Sequence, residues 1–146
     1  MPIHPYVNFN GTCREAVTFY ASVFQTEPPQ FMTFGDLPED ADFPLPEKAK
    51  HLILHTRLTI CGSDVLFSDT FPGNHCTVGS HIGLAVMTDS AEKIKRYFQY
   101  LSEDGEVEME LQSTEWSPLY ASLTDRFGVA WQLNQTSVSE KGRTLP

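Results

Sequence analysis

The stretch Ser80-His81-Ile82-Gly83-Leu84-Ala85-Val86-Met87-Thr88-Asp89 reads as a strand opening on a ring that can bind metal and running straight into a helix signal. Ile82, Leu84 and Val86 supply the apolar alternation of a half-buried strand. Asp89 or Ser90 then caps a helix that carries Ile94, Tyr97, Phe98 and Leu101 on one face and stops at Asp104-Gly105. Beyond it, Val107, Met109 and Leu111 alternate with Glu106, Glu108 and Glu110, which predicts an amphipathic strand with an acidic outer face. Residues 116–124 and 129–134 read as two more strands, joined by the turn Asp125-Arg126-Phe127-Gly128. The tail from Thr136 is polar and is expected to fray.

The first half repeats this order. Tyr6, Asn8 and Asn10 alternate with Val7 and Phe9, and Asn10-Gly11-Thr12 breaks the strand. Thr12 with Glu15 three residues on has the spacing of a capping box. Ala16, Val17, Phe19, Tyr20, Val23 and Phe24 follow at helical intervals until Pro28-Pro29 forbids continuation. Residues 30–35 resemble a short strand. Residues 36–50, with three prolines, read as a surface loop, either an idle insertion or the border of a binding site or dimer contact. Leu52, Leu54, Leu58 and Ile60 then alternate toward the turn Cys61-Gly62-Ser63-Asp64, and residues 65–69 return, forming a hairpin. Residues 70–79 hold Pro72 and two glycines and make the best linker. Each half therefore reads strand, helix, strand, strand, strand, and each helix carries an aromatic pair, Phe19-Tyr20 and Tyr97-Phe98. The expectation is an α+β fold of two βαβββ modules, residues 1–75 and 76–146, within one structural domain. The eight strands would form a cupped mixed sheet with the helices outside and a ligand cleft within.

Composition bounds the function. A chain of 146 residues can bury roughly 70% of its unfolded surface. A formal charge of −9 argues against nonspecific nucleic-acid binding, which draws its affinity from Lys and Arg on phosphates. Lys93, Lys95 and Arg96 cluster only as the solvated face of a helix. Cys13, Cys61 and Cys76 form no Cys-x-x-Cys pair, which fits idle thiols in a reducing cytosol. No charged region followed by an apolar run marks a signal peptide, and no apolar run approaches the roughly 20 residues of a membrane span. The expected location is cytoplasmic.

Three groups of residues, taken in order, carry a family resemblance over residues 5–134. They are Tyr6-Val7-Asn8-Phe9-Asn10-Gly11 with Ala16 to Tyr20; His55 through Gly62-Ser63-Asp64-Val65-Leu66-Phe67-Ser68-Asp69; and Trp116 through Tyr120 with Asp125-Arg126-Phe127-Gly128-Val129-Ala130-Trp131. Together they resemble the vicinal oxygen chelate superfamily of glyoxalase I, extradiol dioxygenases and the bleomycin- and fosfomycin-resistance proteins, and within it the PhnB-like group. Some members of that group are labelled demethylubiquinone methyltransferases, but no glycine-rich SAM loop follows the first strand here.

The resemblance implies a homodimer and a divalent metal held by the first, fourth, fifth and eighth strands, with open positions that chelate a substrate's two oxygens. His81 falls at the fifth-strand position. Gln132 stands where the eighth strand would bring a glutamate, and its amide is a weaker ligand that cannot act as a general base. The first-strand position lands on Pro5 beside His4, and the fourth near Phe67 or Ser68 with Asp69 just beyond. His55 is a candidate acid–base group or pocket wall, or else a satisfied core histidine; Asp69 is a candidate acid–base group or a turn cap. Trp116, Tyr120 and Trp131 are candidates to line a cleft, though Trp131 fits ordinary core packing equally well. No nucleophile elbow or phosphate-cradling loop is present. Two functions follow from this set: a small-molecule-binding or divergent protein, or a metal-dependent lyase, isomerase or transferase.

Overall fold

The computed structural model describes residues 1–137. Most of the polar tail, residues 138–146, lies outside them. The chain gathers into two compact units that divide between Thr77 and Val78. The first contains β1 (Tyr6–Phe9), α1 (Cys13–Phe24), β2 (Met32–Thr33), β3 (Ile53–Ile60) and β4 (Ser63–Asp69). The second contains β5 (Leu84–Thr88), α2 (Ala91–Leu101), β6 (Glu106–Gln112), β7 (Tyr120–Thr124) and β8 (Ala130–Gln135). Both are α+β modules of βαβββ order. The eight strands hydrogen-bond as two sheets of four, ordered β1-β4-β3-β2 and β5-β8-β7-β6. In each module the first strand runs parallel to the last and the remaining pairs are antiparallel.

One helix covers one face of each sheet. In the first unit, Ala16, Val17, Tyr20 and Val23 of α1 are buried, as are Phe9, Leu58 and Phe67 of the sheet. Rings meet there, with Phe67 6.2 Å from Phe9 and 5.9 Å from Tyr20. In the second unit, α2 packs on β5, β7 and β8. It buries Ile94, Tyr97 and Leu101, and the sheet buries Val86, Leu123 and Leu133. Residues of opposite parity on each strand face away from the helix. Gln25 takes a left-handed conformation at the end of α1, ahead of Pro28-Pro29, and its N–H donates to Ala21.

The capping box expected at Thr12 does not form, because the Thr12 side chain caps nothing. Asp69 takes over that work: Oδ1 accepts the Cys13 N–H at 2.9 Å and Oδ2 accepts the Ile53 N–H at 2.9 Å. One carboxylate at the end of β4 thus closes the start of α1 and the start of β3. Burial, then the nearby Asp69 charge, pushes the Cys13 thiol up to about 12, so it stays protonated and inert at neutral pH. That contribution to stability holds below the ordinary thiol range and is lost as pH climbs toward 12. At α2 the choice between caps resolves to Ser90, whose Oγ accepts the Lys93 N–H at 3.2 Å. Arg96 on the solvated face of α2 lies over the Tyr100 ring.

Three strand boundaries differ from the reading of the sequence. The short strand at residues 30–35 is only Met32–Thr33 and passes into a 3-10 turn. β5 starts at Leu84, so His81 and Ile82 precede it. β7 starts at Tyr120, and Trp116 lies in the irregular segment before it. There Ser117 Oγ donates to the carbonyls of Leu119 and Gln135, bonds that fix a turn where an extended strand was expected.

Candidate functional site

A cavity of about 480 Å³ opens on the helix-free face of the second sheet. Period-two alternation along β7 brings Tyr120, Ser122 and Thr124 to this face, while Ala121 and Leu123 turn inward and are fully buried. On β8, Gln132 is exposed between the buried Trp131 and Leu133. Register sets Gln132 between Ala85 of β5 and Ser122 of β7. The segment before β5 adds Val78, Ser80 and His81 to the lining, and β6 adds Glu108.

A tightly bonded turn shapes one wall. Asp125 is 4% exposed. Its Oδ1 accepts the N–H groups of Phe127 (2.8 Å) and Val129 (3.0 Å), and its Oδ2 accepts the indole N–H of Trp131 at 2.8 Å. Gly128 follows at φ +87°, and a Cβ there would lie 3.1 Å from Val78. The left-handed φ favours glycine, and a side chain here would also press on Val78. Asp125 thus seats β8 and its indole anchor, and β8 presents Gln132 to the cavity.

Four of the seven candidates from the sequence meet here: His81, Gln132, Tyr120 and Trp131 all line the cavity. Trp131 does so as a wall of the core, 2% exposed with its N–H committed to Asp125. Trp116 is outside the lining but stands edge-on to Tyr120, with centroids 5.4 Å apart, and is 60% exposed. His55 and Asp69 belong to the first unit. His55 is exposed on β3 with its ring 6.4 Å from Tyr6, so it is not a core histidine. Asp69 is 4% exposed, with one backbone N–H on each oxygen, an arrangement that serves as an internal tie. Glu108, Ser122 and Thr124 were not singled out from the sequence. Glu108 read as one of three acids on a solvated face, yet Thr124 Oγ1 lies 3.5 Å from its Oε1 at the cavity. The only sequence signal for it was the hydroxyl alternation Ser122-x-Thr124 on the neighbouring strand.

The family model described as 3-demethylubiquinone-9 3-methyltransferase matches residues 2–134. The chain belongs to this family. It is a PhnB-like protein of the vicinal oxygen chelate fold, and the methyltransferase in the description is a family name, not an activity shown for this chain. Protein YjdN of Escherichia coli (strain K12) is 32% identical over 145 residues, spanning 92% of this chain and 95% of its own. Protein PA1353 from Pseudomonas aeruginosa matches with a TM-score of 0.79 at 35% identity, covering 92% of this chain and 96% of that one. The PhnB protein from Bacillus cereus matches with a TM-score of 0.70 at 26% identity, covering 92% and 98%. At the level of fold alone, the fosfomycin resistance protein FosX from Listeria monocytogenes matches with a TM-score of 0.60 at 12% identity, covering 97% of each chain. A FosX variant has been crystallised with Mn(II) and 1S,2S-dihydroxypropylphosphonic acid.

The donor chemistry of this PhnB-like chain tests whether such a metal fits. The cavity offers one imidazole (His81), one carboxylate (Glu108) and one uncharged amide (Gln132). Among the described residues, no three His, Cys, Asp or Glu side chains are grouped to hold a metal ion. Sites that hold divalent transition metals use at least three imidazole, thiolate or carboxylate ligands, as in the two-histidine, one-carboxylate triad. The set present does not fit one. No helix among the described residues is long and apolar enough to cross a membrane.

Proposed function

We propose that this chain binds a small molecule in the cavity of its second unit and holds it without a resident metal. The observation that carries this reading is the convergence of His81, Glu108, Tyr120, Ser122, Thr124 and Gln132 on one cavity of about 480 Å³, a size suited to a small ligand. Hydroxyls, an amide and a carboxylate on rigid strands orient a ligand through hydrogen bonds. Tyr120, backed edge-on by Trp116, adds a flat apolar wall.

A second reading is a metal-dependent lyase, isomerase or transferase. It is favoured by the shared fold of FosX, crystallised with Mn(II), and by the placement of His81 and Gln132 on the same cavity. Elemental analysis after dialysis against zinc, nickel, manganese and iron(II), each followed by a melting curve, separates the two. The binding reading expects no metal retained in stoichiometric amount and no metal-dependent rise in Tm. One retained metal that is lost in His81→Ala, with the fold kept, would establish the second reading.

We further place the protein as a homodimer in a reducing cytosol. Three cysteines that form no disulfide and the exposed apolar Ile3 and Phe43 support this. A monomer mass by light scattering would contradict the dimer.

A further inference from the structure

We propose that the cavity of the second unit selects ligands that present an ammonium-type cation and rejects phosphate- or phosphonate-bearing ones. This proposal rests on the reading of that cavity as the ligand site. Among the described residues, the lining contains one carboxylate, Glu108, and no Lys or Arg. Anionic oxygens are normally received by guanidinium or ammonium groups, a helix N-terminus or a bound metal. The cavity lacks the first two: its lining residues come from strands and loops, and α2 contributes none. The third does not fit the donors present.

The acceptors, in contrast, are well placed for a cation. Glu108 stands beside Thr124, whose hydroxyl lies 3.5 Å from its Oε1. Ser122, the neighbour of Gln132 in register, and the Gln132 amide supply further acceptor oxygens across the same face. Tyr120 adds an aromatic side chain to the same lining, and the formal charge of −9 draws cations toward the protein. An ammonium N–H donor set therefore finds a charged partner, neutral acceptors and an aromatic side chain together. A phosphonate meets Glu108 and is repelled, with the His81 imidazole as the one titratable donor set against it. The phosphonate-bearing ligand crystallised with FosX would accordingly be a poor ligand for this chain despite the common fold.

Three probes of one shape test the idea: benzylamine, benzyl alcohol and benzylphosphonate, titrated into the full chain and followed by protein amide chemical shifts. Benzylamine should bind more tightly than benzyl alcohol, benzylphosphonate should bind most weakly, and added salt should narrow the differences. Glu108→Gln, an exposed and nearly isosteric change, should weaken benzylamine about fivefold and benzyl alcohol by a smaller factor, narrowing the gap between them. Tightest binding of benzylphosphonate in the cavity, or an amine preference that survives Glu108→Gln undiminished, would overturn the proposal while leaving the cavity as the ligand site. If none of the three shifts the amides around Ser122 and Gln132, both the selectivity and the cavity reading fall.

Discussion

Asp125→Ala should destabilise the protein by about 3–5 kcal/mol, enough to remove a large part of a typical total of roughly 5–15 kcal/mol. The carboxylate is 4% exposed and accepts two backbone N–H groups and the Trp131 indole N–H. Hydrogen bonds to a charged acceptor contribute about 1.5–3 kcal/mol each, and losing them together leaves buried donors without water. Asp125→Asn separates the parts. Its carbonyl oxygen can still accept from Phe127 and Val129, but its amide N–H₂ would face the indole donor. Its loss should be smaller, about 1–3 kcal/mol. Urea unfolding followed by Trp fluorescence reads both, because the buried Trp131 indole changes environment far more than the exposed Trp116. Equal stability of Asp125→Ala and the parent would contradict the role given to this turn. Because Thr124, Gly128, Ala130 and Trp131 all line the cavity, the same variants should also lose ligand binding.

Asp69→Ala should cost about 3–4 kcal/mol for a related reason in the other unit. It would strip the acceptor from the Cys13 N–H at the start of α1 and from the Ile53 N–H at the start of β3. Helix start, central strand and the end of β4 would then lose their common tie. Asp69→Asn keeps one acceptor oxygen, so about half of the loss should return. Were Asp69 instead an acid–base group in a reaction, Asp69→Asn would leave the melting curve nearly untouched and abolish turnover. Thermal and denaturant unfolding of the two variants side by side decides between those roles.

These two carboxylates also show where a sequence can and cannot be read. The strands with clear alternation, β3 and β6, and both helices were legible because period fixes which face is buried, and β4 was legible as the returning arm of a hairpin. So was the strand–helix–strand–strand–strand order of each half. The start of β5 was not. Ile82 continues the alternation of Leu84 and Val86, but a strand needs a partner. β5 pairs with β8 from Leu84 opposite Trp131, and β8 begins at Ala130 just after the Asp125–Gly128 turn. With no ladder to join, residues 81–83 stay outside the sheet, Ile82 is exposed, and His81 reaches the cavity from a loop.

Thr12 failed as a cap for a different reason. Its local pattern was correct, yet a carboxylate 56 residues away from Cys13 in sequence occupied the helix start first. Glu108 was hidden in the same way. Three alternating glutamates look alike along the chain, and only pairing with β7 sets one of them beside Thr124. β6 carries register shifts on both sides of Met109, which no period predicts. Asp125 was nearer to being legible. An Asp three residues before a Gly suggests a bonded turn, and Trp131 follows six residues on, but the indole contact depends on how β8 leaves the turn. Of the residues lining the candidate cavity, His81, Tyr120, Trp131 and Gln132 had been singled out from order and resemblance, whereas Glu108, Ser122 and Thr124 emerge only from strand pairing.

The most direct test is to map where small polar and aromatic fragments perturb the backbone amides of the full-length, isotopically labelled protein. Shifts concentrated on Ser80, His81, Glu108, Ser122, Thr124 and Gln132 are the expected result and would place the ligand on the second sheet. Shifts concentrated instead on Tyr6, Asn8, His55 and Ser68 would put the site on the first sheet and contradict the account.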